Sequence, residues 1–168
     1  MKKKKTGKSA MDSALDYLTS RPRTVREMEN YLDGQNYGEY EVYAAVERLK
    51  ELKYLDDVRY AADFVSTRLA TKPLSRRKLK EQLRTHYLSA DDIDAAMEQV
   101  TDDVERRNAM AVAEKFYRQF EGLEEYDRRQ RIVRRLAGRG YDFGVIRDSV
   151  EELIGAIDCP IEIGRAHV

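Results

Sequence analysis

The chain has 168 residues with 31 basic and 31 acidic side chains, so its net charge of zero gives no general argument for binding nucleic acid. A single cysteine excludes a disulfide framework, and no apolar run approaches the roughly 20 residues that span a bilayer. The single cysteine and the lack of a signal-like apolar run at the N-terminus favour the cytoplasm. With two histidines and no glycine-rich loop after a strand, we expect a protein that is not an enzyme, needs no cofactor and binds no metal.

Amphipathic helices are predicted along nearly the whole chain. The first residues, MKKKKTGK, predict a disordered basic arm over 1–9, and the last ones, 155–168, form a tail to which we assign no function. Between them, apolar residues recur at the three-and-four spacing of helices packed on one face. The predicted helices are 11–20, 24–33, 39–53, 56–71, 75–86, 90–100, 103–120, 126–138 and 142–154.

The apolar spacing also repeats along the chain. Residues 24–32 align with 75–83 at an offset of 51, and then with the segment that holds Ile132 and Leu136 at a further offset of 53. Three matching residues precede the last helix of each repeat, where a helix cap is expected: Gly38, Ser89 and Asp142. We therefore predict an all-α protein with three tandem three-helix repeats, 10–55, 56–101 and 102–154, in a curved, solenoid-like row.

The paired acids Asp56 and Asp57 allow two interpretations. Adjacent carboxylates are suited to holding a metal or to acid-base chemistry, but here they stand directly before a predicted helix. A carboxylate at that place accepts hydrogen bonds from unpaired backbone N–H groups and interacts favourably with the helix dipole. The second interpretation, helix capping, is favoured.

Basic residues are segregated from acidic ones. The 68–84 segment has seven bases and one acid, and 128–139 has six arginines and no acid, so an anionic partner is expected for these helix faces. The binding candidates are Arg59, Arg68, Lys72, Arg76, Arg77, Lys78, Lys80, Arg84, Arg128, Arg131, Arg134, Arg135 and Arg139.

Tyrosines such as Tyr17, Tyr43 and Tyr54 are expected to be half buried at helix packing surfaces.

Three segments resemble the RecX family of bacterial regulators of the RecA recombinase. They are YLDDVRYAADFVSTR at 54–68, KPLSRRKLKEQL at 72–83 and RLAGRGYD at 135–142. The resemblance covers roughly residues 10–154, and the first motif is specific. Thr85-His86-Tyr87 departs from the family, which more often has a lysine-glycine turn there. The family's three tandem three-helix repeats agree with the internal alignment.

The resemblance implies a non-enzymatic modulator that binds the RecA–DNA filament and restrains ATP hydrolysis, strand exchange and filament growth in recombination and SOS repair. It implies the RecA filament as partner, and we expect weak binding of single- or double-stranded DNA, no membrane association and a monomeric state. Two alternatives remain at this point. One is a winged-helix transcription regulator built on residues 11–55, and the other is a helical adaptor for another anionic protein.

Overall fold

A computed structural model describes residues 7–155 and shows an all-helical fold, as predicted. No strand occurs among these residues, and none of their helices is long and apolar enough to cross a membrane. The helices of the described chain are α1 (Ala10–Leu18), α2 (Val25–Gly34), α3 (Glu39–Glu51), α4 (Asp57–Thr71), α5 (Arg76–Thr85), α6 (Ala90–Met97), α7 (Asp102–Gln119), α8 (Glu125–Gly138) and α9 (Phe143–Ile154). We name α1–α3 repeat 1, α4–α6 repeat 2 and α7–α9 repeat 3.

The three predicted caps lie where the last helix of each repeat begins. Asp142 accepts the Val145 N–H at 2.9 Å, and Ser89 accepts the Asp92 N–H at 3.1 Å. Gly38 has no side chain to offer, and the Glu41 carboxylate instead accepts the Gly38 N–H at 2.8 Å. Each arrangement satisfies a backbone N–H that has no partner within its helix.

The buried positions follow the predicted register. Two rows of side chains on the middle helices α2, α5 and α8 are fully buried: Met28, Leu79 and Ile132, and then Leu32, Leu83 and Leu136. A row on the last helices is also buried: Val42, Ile93 and Ile146. Because a three-and-four spacing places these residues on one face of each helix, the repeats bury equivalent faces.

A residue with a left-handed backbone conformation follows the middle helix of every repeat. Asn36, Tyr87 and Gly140 have φ angles of 65°, 60° and 88°, and they are separated by the same offsets of 51 and 53 residues. Glycine adopts this conformation readily, whereas a side chain makes it unfavourable. Despite the departure at Thr85-His86-Tyr87, Tyr87 has a positive φ like its counterparts Asn36 and Gly140, a conformation that glycine adopts more easily.

Packing groups the described residues into two compact units. The first comprises 7–64 and 82–96, and the second comprises 65–81 and 97–155. The borders lie within α4 and α5, so repeat 2 supplies residues to both units. The predicted domain boundaries divide the chain differently and remain a prediction. Most of the predicted basic arm over 1–9 and of the tail over 155–168 lies outside the described residues.

Inside each unit, the same two hydrogen bonds join consecutive repeats. In the first unit, Thr24 Oγ1 donates to the His86 carbonyl at 2.8 Å, and the Val25 N–H donates to Asp57 Oδ1 at 2.9 Å. The second unit repeats the pattern with other atoms: the Ser75 N–H donates to the Arg139 carbonyl at 3.0 Å, and the Arg76 N–H donates to Glu105 Oε1 at 2.9 Å. A carboxylate from the first helix of one repeat thus caps the middle helix of the preceding repeat.

The capping interpretation of the paired acids is confirmed. The two carboxylates cap different helices, which the sequence did not suggest. Asp56 caps its own helix, because its Oδ1 accepts the Arg59 N–H at 3.1 Å. Asp57 caps α2 through Val25. Burial raises the pKa of Asp57, while the Val25 N–H opposes that shift.

Two expectations from the sequence are wrong. Tyr17 is half buried and stacks on Tyr31 with ring centres 3.8 Å apart, but Tyr43 and Tyr54 are 65% and 59% exposed. The winged-helix alternative needs a β-wing after Leu55, and α4 begins there instead at Asp57.

Candidate functional site

Arg76, one of the predicted binding candidates on α5, forms several contacts within the second unit. Its guanidinium lies 2.6 Å from Asp102 Oδ1 and 3.5 Å from Glu105 Oε2, and it donates to the Val100 carbonyl at 3.4 Å. The expected need for an anionic partner is therefore already met within the chain at Arg76. The partners lie on or just before α7 and are distant in sequence, so helical spacing within α5 could not show them.

Two neighbours of Arg76 donate hydrogen bonds to carbonyl groups at the C-terminal end of α8. Lys78 Nζ donates to the Gly138 carbonyl at 2.7 Å, and Arg77 donates to the Gly140 carbonyl at 3.5 Å while pairing with Glu81 at 2.8 Å. The last carbonyls of a helix have no partner within it, and cations interact favourably with that end of the dipole. Much of the positive charge on the first turn of α5 therefore has a structural role.

The remaining candidates of the 59–84 region differ in exposure. Lys72 and Arg84 are exposed, and neither forms an ion pair with another described residue. Arg59 is exposed and lies 3.5 Å from Asp63. Arg68 and Lys80 are half buried.

The arginines of 128–139 also divide into structural and exposed residues. The Arg128 guanidinium lies 3.2 Å from the ring centre of Tyr117, and its Nε donates to the Tyr117 carbonyl at 2.9 Å. Arg139 donates to the Pro73 carbonyl at 3.1 Å. Arg129, in the middle of the predicted basic block, is only 2% exposed and donates to the Gly155 carbonyl at 2.8 Å.

Three arginines remain on the outside of α8. Arg131, Arg134 and Arg135 are exposed, and together with Phe120 they line a hollow of about 460 Å³, which we name the arginine hollow. None of the three forms an ion pair or donates a hydrogen bond within the described chain. The guanidinium carbons of Arg131 and Arg135 lie 5.8 and 5.9 Å from the Phe120 ring centre.

The electrostatics of the arginine hollow favour an anion. Like charges three and four residues apart on a helix repel by a few tenths of a kcal/mol per pair. No carboxylate lines the hollow to offset that repulsion. Guanidinium groups donate several hydrogen bonds in a planar fork that fits carboxylate and phosphate oxygens. The candidate site is therefore an anion-binding surface that the folded chain leaves uncompensated.

Phe120 was not among the predicted site residues. It is the C-cap residue directly after α7, four residues after Phe116, and Arg135 lies 5.2 Å from the Phe116 ring centre as well. The spacing of two aromatic residues by four, beside an arginine-rich helix, is the sequence signal that could have indicated it.

Comparison with known proteins gives consistent matches along the chain. Three family models match: RecX, first three-helix domain, over residues 10–49; RecX, second three-helix domain, over 56–97; and RecX, third three-helix domain, over 103–150. The crystal structure of RecX from Lactobacillus salivarius has a TM-score of 0.71, with 22% identity over 86% of this chain and 94% of that chain, and supports the fold alone. A crystal structure of regulatory protein RecX has a TM-score of 0.67 and 28% identity, covering 86% of this chain and 70% of that chain.

Curated relatives of the chain are also named as RecX proteins. "Regulatory protein RecX" of Bacillus pumilus (strain SAFR-032) is 28% identical over 145 residues, which are 86% of this chain but 55% of the relative. The chain thus spans about half the length of the Bacillus relatives that it matches. "Regulatory protein RecX" of Streptomyces lividans is 30% identical over 142 residues, which are 82% of this chain and 76% of that relative. With all three domain models and this relative matched, the chain belongs to the RecX family.

Proposed function

We propose that this chain is a non-enzymatic modulator of RecA that binds the RecA–DNA filament and restrains ATP hydrolysis, strand exchange and filament growth. Membership of a family whose relatives are named regulatory proteins supports a regulatory role. The observation that carries the proposal is the arginine hollow, because its three exposed cations have no carboxylate partner within the described chain. A filament of protein and DNA offers many carboxylate and phosphate oxygens to such a surface.

The proposal narrows the set of contact residues. Arg131, Arg134 and Arg135 are the principal contacts, with the exposed Lys72 and Arg84 as secondary ones. Arg76, Lys78 and Arg128 have partners within the chain, and using them would require breaking those contacts. The chain acts as a monomer without a cofactor of its own and binds free DNA only weakly.

The test is RecA's DNA-dependent ATP hydrolysis on single-stranded DNA, with this protein titrated below one molecule per RecA protomer at two salt concentrations. Inhibition at low ratios that weakens with salt supports the proposal, because contacts between exposed charges are screened. A variant with Arg131→Gln, Arg134→Gln and Arg135→Gln should need about tenfold more protein for the same inhibition, an effect near 1.4 kcal/mol.

A matched control is Arg26→Gln, which removes an exposed arginine that pairs with Glu29 at 3.1 Å and lies outside the arginine hollow. The control should inhibit like the unchanged chain. If the triple variant inhibits equally well while remaining folded, the arginine hollow is not the contact surface. If the unchanged chain has no effect on hydrolysis or strand exchange, the proposed function itself fails.

A further inference from the structure

A second hollow, in the first unit, contains a different set of charges. It has a volume of about 510 Å³ and lies between the α1–α2 loop and a wall formed by the α3–α4 loop with the first half of α4. Arg21 and Arg23 come from the first wall, and Lys53 and Arg59 from the second. We name it the loop cleft. Of its residues, only Arg59 was a candidate from the sequence.

Arg59 and Arg21 already have carboxylate partners, whereas Arg23 and Lys53 have none within the described chain. Two acids line the loop cleft, Asp56 and Asp63, against four cations. Asp56 caps α4, and Asp63 lies 3.5 Å from Arg59. Arg21 pairs at 3.2 Å with Glu27, which also accepts the Thr24 N–H at 3.1 Å. The lining therefore keeps an excess of positive charge for a bound anion.

The fold positions the guanidinium of Arg23 and the backbone of Lys53. The Arg23 guanidinium lies 3.8 Å from the ring centre of Tyr17 and donates to Ser20 Oγ at 2.9 Å. Lys53 has a φ of 62°, in the left-handed region where glycine or asparagine is the usual residue after a helix. Its ammonium forms no ion pair within the described chain. A lysine at this strained position carries a cation to the rim of the loop cleft, where glycine would carry none.

An uncovered aromatic ring stands beside these cations. Tyr54 follows Lys53 and is 59% exposed, and both line the loop cleft. Tyrosine side chains usually bury their rings, so an exposed ring next to four cations is available for stacking. Proteins that bind nucleotide chains combine positive charge along the phosphates with aromatic rings under the bases. The volume also falls within the range of sites for small ligands.

We propose that the loop cleft binds a nucleotide unit, with its phosphate held chiefly by Arg23 and Lys53, with Arg21 and Arg59 beside them, and its base stacked on Tyr54. The nucleotide could be free or part of a single strand, since both present a phosphate beside a planar base. The biological setting of this inference rests on the proposed function, in which a single strand lies within the RecA filament. The binding chemistry itself requires neither RecA nor the arginine hollow.

The experiment measures binding to the full chain without RecA. Fluorescence anisotropy with a labelled single-stranded oligothymidylate, and competition by unlabelled ATP and by pyrophosphate, report affinity for each source. Lys53→Gly with Arg59→Gln should weaken all three probes about tenfold, and Tyr54→Ser should weaken the oligonucleotide and ATP but not pyrophosphate. Arg26→Gln is the matched control and should leave all affinities unchanged. Circular dichroism confirms that each variant is folded.

Cross-linking locates the bound nucleotide. An oligonucleotide containing iododeoxyuridine and azidoadenosine triphosphate should each attach near Tyr54, as mapped by mass spectrometry of the irradiated protein. Attachment of only the oligonucleotide assigns the loop cleft to single strands, and attachment of only the nucleotide assigns it to free nucleotides.

Three results would overturn the inference. The first is binding that persists in the cleft variants but disappears when Arg131, Arg134 and Arg135 are changed to glutamine. The second is displacement of the probes by polyglutamate but not by ATP or pyrophosphate, which would indicate an acidic peptide as the occupant. The third is no binding of any probe at about millimolar concentration. Because RecA is absent from these assays, none of these results decides the proposed effect on RecA hydrolysis.

Discussion

The Thr24 side chain donates a hydrogen bond to the His86 carbonyl across 62 residues of sequence, and the same hydroxyl accepts the Glu27 N–H as a helix cap. Ser75 and Arg139, which stand at the equivalent places one repeat later, are also joined by a hydrogen bond. The start of one middle helix is thereby joined to the end of the next. Helix capping and the contact between repeats depend on the same residues.

Replacing Thr24 should be costly for this reason. Thr24→Ala removes the cap and leaves the His86 carbonyl without its donor, so the free energy of unfolding should fall by about 2 to 3 kcal/mol. Thr24→Ser keeps the hydroxyl and should lose less than half of that. Urea denaturation followed by circular dichroism measures both. Equal losses in the two variants would show that the methyl group matters and the hydrogen bonds do not.

Removing the hydroxyl group should change the free energy of unfolding differently at two buried tyrosines in equivalent positions, Tyr37 and Tyr141. The Tyr37 hydroxyl lies 2.6 Å from Ser13 Oγ and donates to the Lys8 carbonyl at 2.9 Å. The buried Tyr141 hydroxyl has no hydrogen-bond partner in the described chain, and burial raises its pKa. Tyr37→Phe should lower the free energy of unfolding by about 1 kcal/mol, whereas Tyr141→Phe should leave it unchanged or raise it.

Thermal denaturation of the two phenylalanine variants is a direct comparison, because each change removes one oxygen from the same place in its repeat. Repeat 2 already has the apolar Leu88 there. A loss of stability in Tyr141→Phe that matches Tyr37→Phe would contradict the absence of a partner for the Tyr141 hydroxyl.

Substitutions at the left-handed positions Tyr87 and Gly140 should change the free energy of unfolding in opposite directions. Tyr87 has a φ of 60° and is exposed, so Tyr87→Gly should raise the free energy of unfolding by about 1 kcal/mol through relief of backbone strain. Gly140→Ala should lower it by more than that amount, because φ is 88° and the added Cβ would lie 2.5 Å from Ser75 Oγ and 2.9 Å from Lys78 Cβ. Chemical denaturation measures both. Destabilisation by Tyr87→Gly would mean that the tyrosine ring makes a contact worth more than the strain.

Acid should weaken the first unit through Glu27. Burial opposes the charge of this carboxylate, but the Thr24 N–H, His86 and Arg21 together lower its pKa. The unfolded chain then binds the proton more readily than the folded chain, so stability increases with pH in this range. The contribution of Glu27 is fully present above the ordinary glutamate pKa of about 4.3 and is lost as the pH falls through the lower folded value.

The measurement compares the unchanged chain with Glu27→Gln by urea denaturation from neutral pH to about pH 3, below the ordinary glutamate pKa. The difference between them should be largest near neutrality and should shrink in acid. Glu29→Gln is the matched control, because Glu29 pairs with the exposed Arg26 and such pairs contribute little. A difference for Glu27→Gln that stays constant with pH would exclude the ionic contribution.

Arginines on α5 and α8 should differ in their effect on stability. Arg76→Gln removes contacts to Asp102, Glu105 and the Val100 carbonyl, and should lower the free energy of unfolding by about 1 kcal/mol, a modest value because the guanidinium is partly exposed. Arg134→Gln removes an exposed cation beside two others, so stability should stay within about 0.5 kcal/mol or rise slightly. Thermal denaturation at low and high salt tests this, and salt should reduce both effects.

The all-helical class, the repeat and the buried rows follow from apolar periodicity along the chain. Residues such as Met28, Leu79 and Ile132 are buried because helical periodicity places them on one face, and that information lies within a few consecutive turns. The starts of the helices and the caps at Ser89 and Asp142 were predictable for the same reason, since a cap acts on backbone groups two or three residues away. The predicted end of α6 at residue 100 was wrong, because the helix ends at Met97.

Which cations remain available for a partner depends instead on how the helices pack. Arg76 meets Asp102, which is 26 residues away, and Lys78 meets the Gly138 carbonyl, which is 60 residues away. The inward turn of Arg129 and the exposure of Tyr54 likewise depend on how helices pack. Ion pairs and side-chain exposure depend on distances in space that local periodicity does not encode, so the arginine hollow and the loop cleft became visible only in the folded chain.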